Sequence, residues 1–324
     1  MSLPRHITDT LQTLLHGVSR SDLADRSARL SRGYRSGETS RTTIGSFSDA
    51  LAYAVTRMPA TYAAVSAVLA YTAEQLPDWR PRSTLDLGAG PGTASFAALD
   101  QWPDISSVTM VERNAASRSL AREFANAAPA SSGAQLIDGD LASAAHLPEA
   151  DLVIAAYVLV ELPEAQVEPF ARAALSKARD VLVLVEPGTP AGFERIRLAR
   201  TALFDAGAKA IAPCPHSHAC PIVAPDWCHF SVRLARSRDH RLTKQADRSF
   251  EDEKFSYLAV SRSLVPATVT PRVIAPPRVG KAEVMLRVCE ATGLAERCIP
   301  RQDKLDYKAA KKLRWGDIVR NTHE

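Results

Sequence analysis

The stretch Leu85-Asp86-Leu87-Gly88-Ala89-Gly90-Pro91-Gly92-Thr93 determines the fold class of this 324-residue chain. A short apolar strand, Ser83–Leu87, leads into a loop in which residues 88, 90 and 92 are glycines. Glycines lack the Cβ atoms that would keep a ligand away from the backbone. A helix predicted from Thr93 to Leu99 points its free N–H groups at the same place. The stretch therefore predicts a strand, a ligand-binding loop and a helix in direct succession.

Strand and helix patterns alternate after this unit, because short apolar runs are each followed by a helical period. The predicted strands are Ser83–Leu87, Val108–Val111, Gln135–Ile137, Asp151–Ala155, Val181–Val185 and Phe255–Val260. The predicted helices are Thr93–Leu99, Ala115–Ala127, Glu164–Ala178 and Pro190–Ala206. This alternation predicts an α/β fold whose parallel sheet is covered by helices on both faces.

The N-terminal part of the chain has helical spacing instead. Residues 6–30 and 47–76 carry apolar side chains at intervals that place them on one helix face, with an interruption at Pro59. Residues 31–46 are polar and rich in glycine and serine, so they predict a loop. An N-terminal helical region over residues 1–80 is therefore expected.

The C-terminal part has a different pattern again. Val269–Pro277 contains three prolines and predicts a linker. Glu283–Cys289 and Ala295–Ile299 predict a hairpin, and Asp303–Leu313 predicts a basic helix. With the N-terminal region, the predicted divisions are a ligand-binding core (81–211), a Cys-rich insertion (212–250) and a last part holding the final core strands, the hairpin and the basic helix (251–324).

The composition fits a globular protein, because 46% of the residues are apolar and 23% are charged. No apolar run reaches the length of a transmembrane helix. The first forty residues match no signal-peptide pattern, and their acidic residues are unlike a transit peptide. We therefore expect no membrane partner and a cytoplasmic, bacterial location, or a mitochondrial one if the source is eukaryotic.

The net charge of +4 is distributed unevenly along the chain. Counting lysine and arginine against aspartate and glutamate, residues 1–80 carry +2, residues 81–189 carry −7 and residues 190–324 carry +9. A basic C-terminal third beside an acidic middle suggests a polyanionic partner on one face. A solvated basic surface explains the charge equally well at this point.

The glycine loop has the spacing G-x-G-x-G, with Asp86 two residues before the first glycine. It resembles motif I of class I S-adenosylmethionine (SAM)-dependent methyltransferases more than the G-x-G-x-x-G loop of dinucleotide-binding folds. The resemblance implies a Rossmann-like methyltransferase fold and SAM as cofactor. The cofactor-binding residues that it implies are Asp86, Gly88, Ala89, Gly90, Gly92, Thr93, Glu112, Arg113, Asp140, Leu141 and Tyr157.

Within that resemblance, Glu112 is the acidic residue at the end of the second strand that would bind both ribose hydroxyls. Asp140 and Leu141 follow the third strand and would contact adenine. Tyr157 follows the fourth strand, beside the cofactor and the target.

No catalytic motif accompanies these landmarks. The residues after the fourth strand are Ala155-Ala156-Tyr157-Val158-Leu159-Val160-Glu161-Leu162. The Asn/Asp-Pro-Pro-aromatic motif of amino-methylating enzymes and the Pro-Cys nucleophile of RNA cytosine-5 methyltransferases are both missing here. Tyr157 and Glu161 fit packing roles better than catalytic ones. The sequence therefore assigns no catalytic residue and leaves enzymatic activity open.

All five cysteines lie in the C-terminal third of the chain. Cys214, Cys220 and Cys228 have the spacing C-x5-C-x7-C, and Cys289 or Cys298 could add a fourth ligand. Wide spacing and a proline directly after each of the first two cysteines suit an iron–sulfur cluster. Three nearby histidines keep a mixed zinc site open as an alternative, and inert buried thiols are the third possibility. The histidines are His216, His218 and His229.

Nearly the whole chain resembles one family, the methyltransferase-like proteins of mitochondrial small-ribosomal-subunit assembly and their bacterial relatives. The segments that carry the resemblance are Ala52-Tyr53, Arg57-Met58-Pro59-Ala60-Thr61-Tyr62, Asp86–Gly92, Glu186-Pro187-Gly188-Thr189-Pro190 with Gly192-Phe193, Trp227-Cys228-His229-Phe230, Glu253-Lys254-Phe255-Ser256-Tyr257 and Arg314-Trp315-Gly316-Asp317.

The resemblance implies a 4Fe–4S cluster in the insertion, held by Cys214, Cys220, Cys228 and Cys289, with Cys298 as a free thiol. It also implies an assembly factor that binds small-subunit ribosomal RNA and the assembling small subunit, with weak or lost methyltransferase activity. The alternative is an active SAM-dependent rRNA methyltransferase with a structural metal cluster. We expect a monomer in either case.

Two groups of basic residues would give such a protein an RNA-binding surface. One group directly follows Cys228 within the insertion, and the other lies on the last helix, where Trp315 would stack on a base. The first group is Arg233, Arg236, Arg238, Arg241 and Lys244, and the second is Lys304, Lys308, Lys311, Lys312 and Arg314.

Overall fold

The computed structural model describes residues 2–35, 39–128, 131, 133–139, 146–244, 247–266 and 268–320. The helices are α1 (Arg5–Leu14), α2 (Arg20–Arg35), α3 (Ser40–Thr43), α4 (Phe47–Thr56), α5 (Met58–Gln75), α6 (Thr93–Gln101), α7 (Ala115–Asn126), α8 (Glu164–Lys177), α9 (Pro190–Asp205), α10 (Arg238–Lys244) and α11 (Lys304–Ala310). The strands are β1 (Ser83–Leu87), β2 (Ser107–Val111), β3 (Gln135–Ile137), β4 (Ala150–Ala156), β5 (Ala178–Pro187), β6 (Lys209–Ala212), β7 (Phe230–Ala235), β8 (Phe250–Ser261), β9 (Arg272–Val273), β10 (Arg278–Val279), β11 (Glu283–Glu290) and β12 (Gly293–Pro300).

The main sheet has the order β3-β2-β1-β4-β5-β8-β6. Strands β1 to β5 are parallel, and β8 is antiparallel to both β5 and β6. This is the strand order of class I methyltransferases, so the predicted fold class is confirmed. The order reverses between β1 and β4, and ligands of open α/β sheets bind at such a switch point, beyond the carboxyl ends of the strands.

The N-terminal helices differ from the prediction in their boundaries. Residues 6–30 were expected to form one helix, but α1 and α2 are separated around Gly17, whose φ of 78° is left-handed. Residues 31–46 were expected to be a loop, but α2 runs to residue 35 and α3 covers 40–43. The predicted interruption at Pro59 is confirmed, because α5 begins at Met58 with the proline in its first turn.

The region after β6 contains more regular structure than its composition indicates. Strand β7 pairs with the first half of β8, which extends beyond the main sheet. Strands β10, β11 and β12 form a second, antiparallel sheet, and β9 pairs with β11. The predicted hairpin is confirmed, whereas Val269–Pro277 is more than a linker because β9 lies inside it. No helix in the described ranges is long and apolar enough to cross a membrane.

Candidate functional site

The glycine loop after β1 has the backbone that its sequence requires. Gly88, Gly90 and Gly92 have φ angles of 74°, 56° and 88°, a region that favours glycine. A Cβ atom at Gly92 would lie 2.8 Å from the ring of Phe96, so this glycine lets the loop pack on α6. A Cβ atom at Gly90 would meet nothing within 4 Å. The loop is therefore packed against Phe96 of α6 at Gly92, whereas the space beside Gly90 is open.

Asp86 holds the loop to the helix that follows it. Its carboxylate is buried and accepts hydrogen bonds from the backbone N–H of Ser95 at 3.0 Å and from the Ser95 hydroxyl at 2.8 Å. Burial raises the pKa of Asp86 to about 7, although the two bonds from Ser95 oppose the shift. Asp86 thus fixes the entry of the chain into α6 and lines the cleft above the loop.

Glu112 at the end of β2 is turned toward the same loop. Its carboxylate accepts from the N–H of Gly90 at 2.8 Å and from the N–H of Asn114 at 2.6 Å. Burial raises its pKa, and these backbone bonds oppose the shift. Asn114 also donates its side-chain amide to the carbonyl of Ile44 at 2.7 Å, which ties this corner to the N-terminal region.

A narrow cleft lies above the loop. It is lined by Tyr53, Thr61, Asp86, Gly88, Ala89, Gly90, Pro91, Thr93, Ala94 and Ala156. Five of the predicted cofactor residues on β1 and its loop (Asp86, Gly88, Ala89, Gly90 and Thr93) are in this set. The hydroxyl of Thr93 is buried and has no hydrogen-bond partner among the described residues. An unpaired hydroxyl and an open glycine backbone fit a polar ligand such as SAM.

Two cleft residues come from the N-terminal helices and were not predicted. Tyr53 lies on α4 and Thr61 on α5. Both belong to segments quoted for the family resemblance, but nothing in their local pattern indicated that α4 and α5 would reach the glycine loop. Their contribution depends on tertiary packing, which the spacing of apolar residues alone does not specify.

The remaining predicted cofactor residues lie in different surroundings. Tyr157 has a left-handed φ of 62° and donates its hydroxyl to Glu253 of β8 at 2.8 Å. Burial raises the pKa of Glu253, and the neighbouring Arg57 opposes that shift. Arg113 is exposed beside Glu112. Asp140 and Leu141 lie outside the described residues.

Glu186 at the end of β5 supports the segment that follows β4. It is fully buried and accepts from the backbone N–H of Leu159 at 2.7 Å and of Val160 at 3.2 Å. Burial raises its pKa to about 8 despite these bonds. Sequence reasoning placed Glu186 only in a family segment. Its hydrogen bonds to the segment after β4 form because β4 and β5 are neighbours in the sheet, which the local sequence does not specify.

Four of the five cysteines converge between the main sheet and the second sheet. Burial raises the pKa of Cys228 well above its usual value, and the neighbouring thiols of Cys214, Cys220 and Cys289 raise it further. Burial raises the pKa of Cys289 to about 12, and the neighbouring thiols of Cys214 and Cys220 contribute to the shift. Cys298 is exposed, with its sulfur 3.1 Å from Glu283 Oε2.

In the part of the chain that the structure describes, no three cysteine, histidine or acidic side chains stand close enough together to hold a metal ion. Cys220, Cys228 and Cys289 pack in one apolar cluster, whereas Cys214 packs against a core cluster of the main sheet. His216 also reaches these cysteines, with Nε2 3.7 Å from the sulfur of Cys289. The predicted ligand cysteines therefore lie near enough to influence one another's pKa, but they form no metal site in the described residues.

We call the region around Cys214, Cys220, Cys228 and Cys289 the cysteine pocket. Hydrogen bonds join it directly to the methyltransferase core. Trp227 donates its indole N–H to the carbonyl of Gly188 at 3.0 Å, and Ser256 of β8 donates its hydroxyl to the carbonyl of Cys228 at 2.7 Å. A Cβ atom at Gly188 would lie 2.6 Å from the backbone nitrogen of Phe255, so only glycine allows β5 and β8 to approach at this point.

Three of the five residues in the first predicted basic group are ion-paired, whereas Arg238 and Arg241 are exposed and join no ion pair in the described ranges. Arg233 makes a bidentate ion pair with Asp252 at 2.7 and 2.8 Å, and Arg236 and Lys244 both bind Glu251. The second group is exposed on and after α11, and no ion pair joins it to an acidic side chain in the described ranges. We call this group, Lys304, Lys308, Lys311, Lys312 and Arg314, the α11 basic stripe.

Trp315 is not presented for stacking as the sequence suggested. Its ring packs edge-on against His229, with ring centroids 4.6 Å apart. The next residue, Gly316, has a φ of 100°, and a Cβ there would lie 2.4 Å from the hydroxyl of Tyr71. The segment Arg314-Trp315-Gly316-Asp317 therefore fastens the end of the chain to α5 and to the cysteine pocket.

Comparisons with solved structures return methyltransferases. One is a magnesium protoporphyrin IX methyltransferase from Synechocystis with bound SAM, at 16% identity over 63% of this chain and 80% of the other, with a TM-score of 0.40. Another is a precorrin-6y C5,15-methyltransferase from Geobacter metallireducens, at 18% identity over 60% and 85% of the two chains, also with a TM-score of 0.40. At this level of similarity the fold assignment rests on the strand order above.

Curated relatives are more informative. The chain is 28% identical over 83% of its length to Rsm22-cox11 tandem protein 2, mitochondrial, of Schizosaccharomyces pombe, and covers 42% of it. It is 27% identical, again over 83% of its length, to the human ribosome assembly protein METTL17, mitochondrial, and covers 62% of it. The chain thus spans about half the length of these relatives. The profile of the family described as mitochondrial small ribosomal subunit Rsm22 matches residues 47–320, and the chain therefore belongs to this family.

Proposed function

We propose that this chain is an assembly factor of the small ribosomal subunit that binds rRNA through the α11 basic stripe. Family membership and the name of the human relative support the assembly role. The observation that carries RNA binding is the stripe itself, because its five cations are exposed and none of them forms an ion pair in the described part of the chain. Cations without acidic partners remain available to phosphates, which dominate nucleic-acid affinity. Relatives with mitochondrial names imply action in the mitochondrion if the source is eukaryotic.

The stripe is tested by neutralising three of its lysines, Lys308, Lys311 and Lys312, to alanine. We expect weaker binding of small-subunit rRNA. The slope of log affinity against log salt should fall by about 0.7 to 0.9 for each phosphate that the variant no longer neutralises. The matched control is Arg233→Gln with Arg236→Gln, whose guanidinium groups are occupied by Asp252 and Glu251. Equally weakened binding in both variants would contradict the assignment of the RNA surface to α11.

The same proposal includes SAM in the cleft above the glycine loop. Asp86, the three glycines, Thr93 and Glu112 would hold it, with the roof formed by Tyr53 and Thr61. Bound SAM supplies an electrophilic methyl group. The residues described here bind and orient a ligand, and none of them is placed as a base or a nucleophile. Equilibrium dialysis with labelled SAM tests this part of the proposal, and absence of binding would refute it.

The proposal also includes a 4Fe–4S cluster held by Cys214, Cys220, Cys228 and Cys289. Its support is the convergence of these four thiols and the separation of Cys298 from them. The cluster is tested by anaerobic purification with iron, sulfide and zinc analysis. About four irons and four sulfides per chain are expected. One zinc without sulfide would favour the zinc alternative.

An active rRNA methyltransferase is the second candidate. The observation that favours it is the intact cleft, in which an unpaired Thr93 hydroxyl and the open Gly90 backbone are both retained. A protein that needs only an RNA-binding scaffold has no physical reason to keep these features. Transfer of label from SAM to immature small subunits, abolished in Asp86→Ala, would establish this function. Binding of SAM without transfer supports the first proposal.

A further inference from the structure

Arg200 on α9 is a buried cation beside the cysteine pocket. Its side chain is 4% exposed. One guanidinium nitrogen donates to the carbonyl of His216 at 3.1 Å, and the group lies 4.4 Å from the centre of the Phe204 ring. Its Nε atom is buried without a partner. No ion pair joins Arg200 to an acidic side chain in the residues that the structure describes.

Burying a charge in this way costs several kcal/mol unless an opposite charge compensates it. Arg272, the other arginine buried to this degree among the described residues, shows the usual solution. It lies 3.8 Å from the carboxylate of Glu74 and donates to the carbonyl of Gly316 at 2.7 Å. Arg200 has no such carboxylate beside it within the ranges that the structure describes. The charge of Arg200 therefore implies an anion that the acidic side chains do not provide.

The groups near Arg200 that can become negative are the thiols. Its positive charge acts on Cys220 and Cys289, lowering the pKa of each against the larger effect of burial. Four thiolates around an iron–sulfur core carry a net negative charge, and reduction of the core adds one more electron. A fixed cation at this position stabilises both charge states and stabilises the reduced state more.

We propose that Arg200 is the internal counter-charge of the cysteine site, which holds the negative charge of the cluster inside the protein and favours its reduced state. This inference rests on the proposed cluster. It makes Arg200 a positioning residue that acts through charge and leaves coordination to the cysteines.

The test compares wild-type protein with Arg200→Met and Arg200→Lys, all purified anaerobically. Iron and sulfide are measured first, and the cluster is then titrated with an external reductant and followed by visible absorption. We expect Arg200→Met to have a more negative midpoint potential than wild type and Arg200→Lys to stay near it. Arg197→Met is the graded control, because Arg197 is one turn earlier on α9, half-exposed, paired with Glu194, and acts on Cys220 more weakly than Arg200 does. Its potential should shift less than that of Arg200→Met, and an equal shift would overturn the specific role of Arg200.

A fully loaded Arg200→Met protein with the wild-type potential would overturn the role of Arg200. If Arg200→Met loads no cluster, Arg200→Lys decides: loading at the wild-type potential supports a role of charge, and failure to load overturns it. Wild-type protein without iron and sulfide would overturn the cluster itself and this role with it. The metal analysis separates that result from a failure of Arg200 alone.

Discussion

The hydroxyl of Thr93 is the most specific ligand signal at the scale of single residues, because it is buried in the cleft with no partner in the described chain. Thr93→Val keeps the shape of the side chain and removes this hydroxyl. If SAM uses it, the variant should bind SAM about 5- to 10-fold more weakly, the usual net value of one hydrogen bond. Isothermal titration calorimetry measures the change.

Thr84→Val is the matched control for this substitution. Thr84 also has a buried hydroxyl without a partner, but it lies on β1 and does not line the cleft. Its replacement should leave the affinity for SAM unchanged. Equal effects of the two substitutions would show that Thr93 acts through the stability of the core instead of through the ligand.

Glu186 predicts how stability depends on pH. Its pKa is raised from 4.5 to about 8 in the folded protein. A raised carboxyl pKa contributes stability that is complete below the unfolded value and declines as the pH rises toward the folded value. Between pH 5 and 8, Glu186 should therefore lower the free energy of unfolding of the wild-type protein by at most about 1.4 kcal/mol per pH unit. The Glu186→Gln variant should lack this part of the decline. Urea titrations across this range measure it, and parallel curves for both proteins would contradict the prediction.

The glycine loop and the residues at the ends of β1 and β2 could be predicted from the sequence because their motif is local. The roof residues Tyr53 and Thr61 could not, since they reach the cleft only through packing of α4 and α5. Tyr157 shows the converse case. Its position after β4 is local, but its bond to Glu253 joins residues far apart in the chain.

At the scale of elements, the connection between β5 and α9 requires a residue without a side chain at Gly192. A Cβ atom at Gly192 would lie 2.1 Å from the carbonyl oxygen of Pro187, which is backbone and cannot rotate away. Gly192→Ala should therefore destabilise the protein by about 3 kcal/mol. Gly133→Ala, where a Cβ would meet nothing within 4 Å, should change the unfolding free energy by less than about 0.5 kcal/mol. Chemical denaturation compares the two, and similar values would refute the argument.

Strand patterns were reliable where the strands are buried on both faces, as in β1, β4 and β5. The break between α1 and α2 was missed because the apolar spacing continues across Gly17, although the glycine itself was a usable signal. Strand β9 was missed for a different reason. Three prolines indicated a linker, but Arg272 and Val273 are buried between α5 and the second sheet.

The basic segment that follows Cys228 shows why counting charges in the sequence does not identify an RNA-binding surface. Arg233, Arg236 and Lys244 looked like an RNA-binding array because they follow one another in sequence. Strand β8 brings Asp252 and Glu251 against them, so they are ion pairs in the folded chain. The acidic partners lie in the sequence too, but only the pairing of β7 with β8 puts them opposite.

At the scale of the whole molecule, the cysteine pocket joins four parts of the chain. It contains residues of the segment after β6, the N-terminal part of α9, the residue that follows β9, and β11. If the proposed cluster occupies it, chelation of the iron should increase amide hydrogen exchange in residues 213–229 and in β11, while β1, β4 and β5 stay protected. Cys298→Ser should leave this pattern unchanged. Uniform loss of protection throughout the main sheet would instead mean that the core depends on the cluster.

The position of β8 in the main sheet also affects how this chain folds while it is being synthesised. Strand β5 pairs with β4, which precedes it in the chain, but its other edge pairs with β8, which is synthesised only after residues 188–249. An apolar, unpaired strand edge is a template for wrong pairing. The nascent chain must therefore carry this open edge through the whole synthesis of the cysteine-rich segment, and a chain that stalls there is the form most exposed to aggregation.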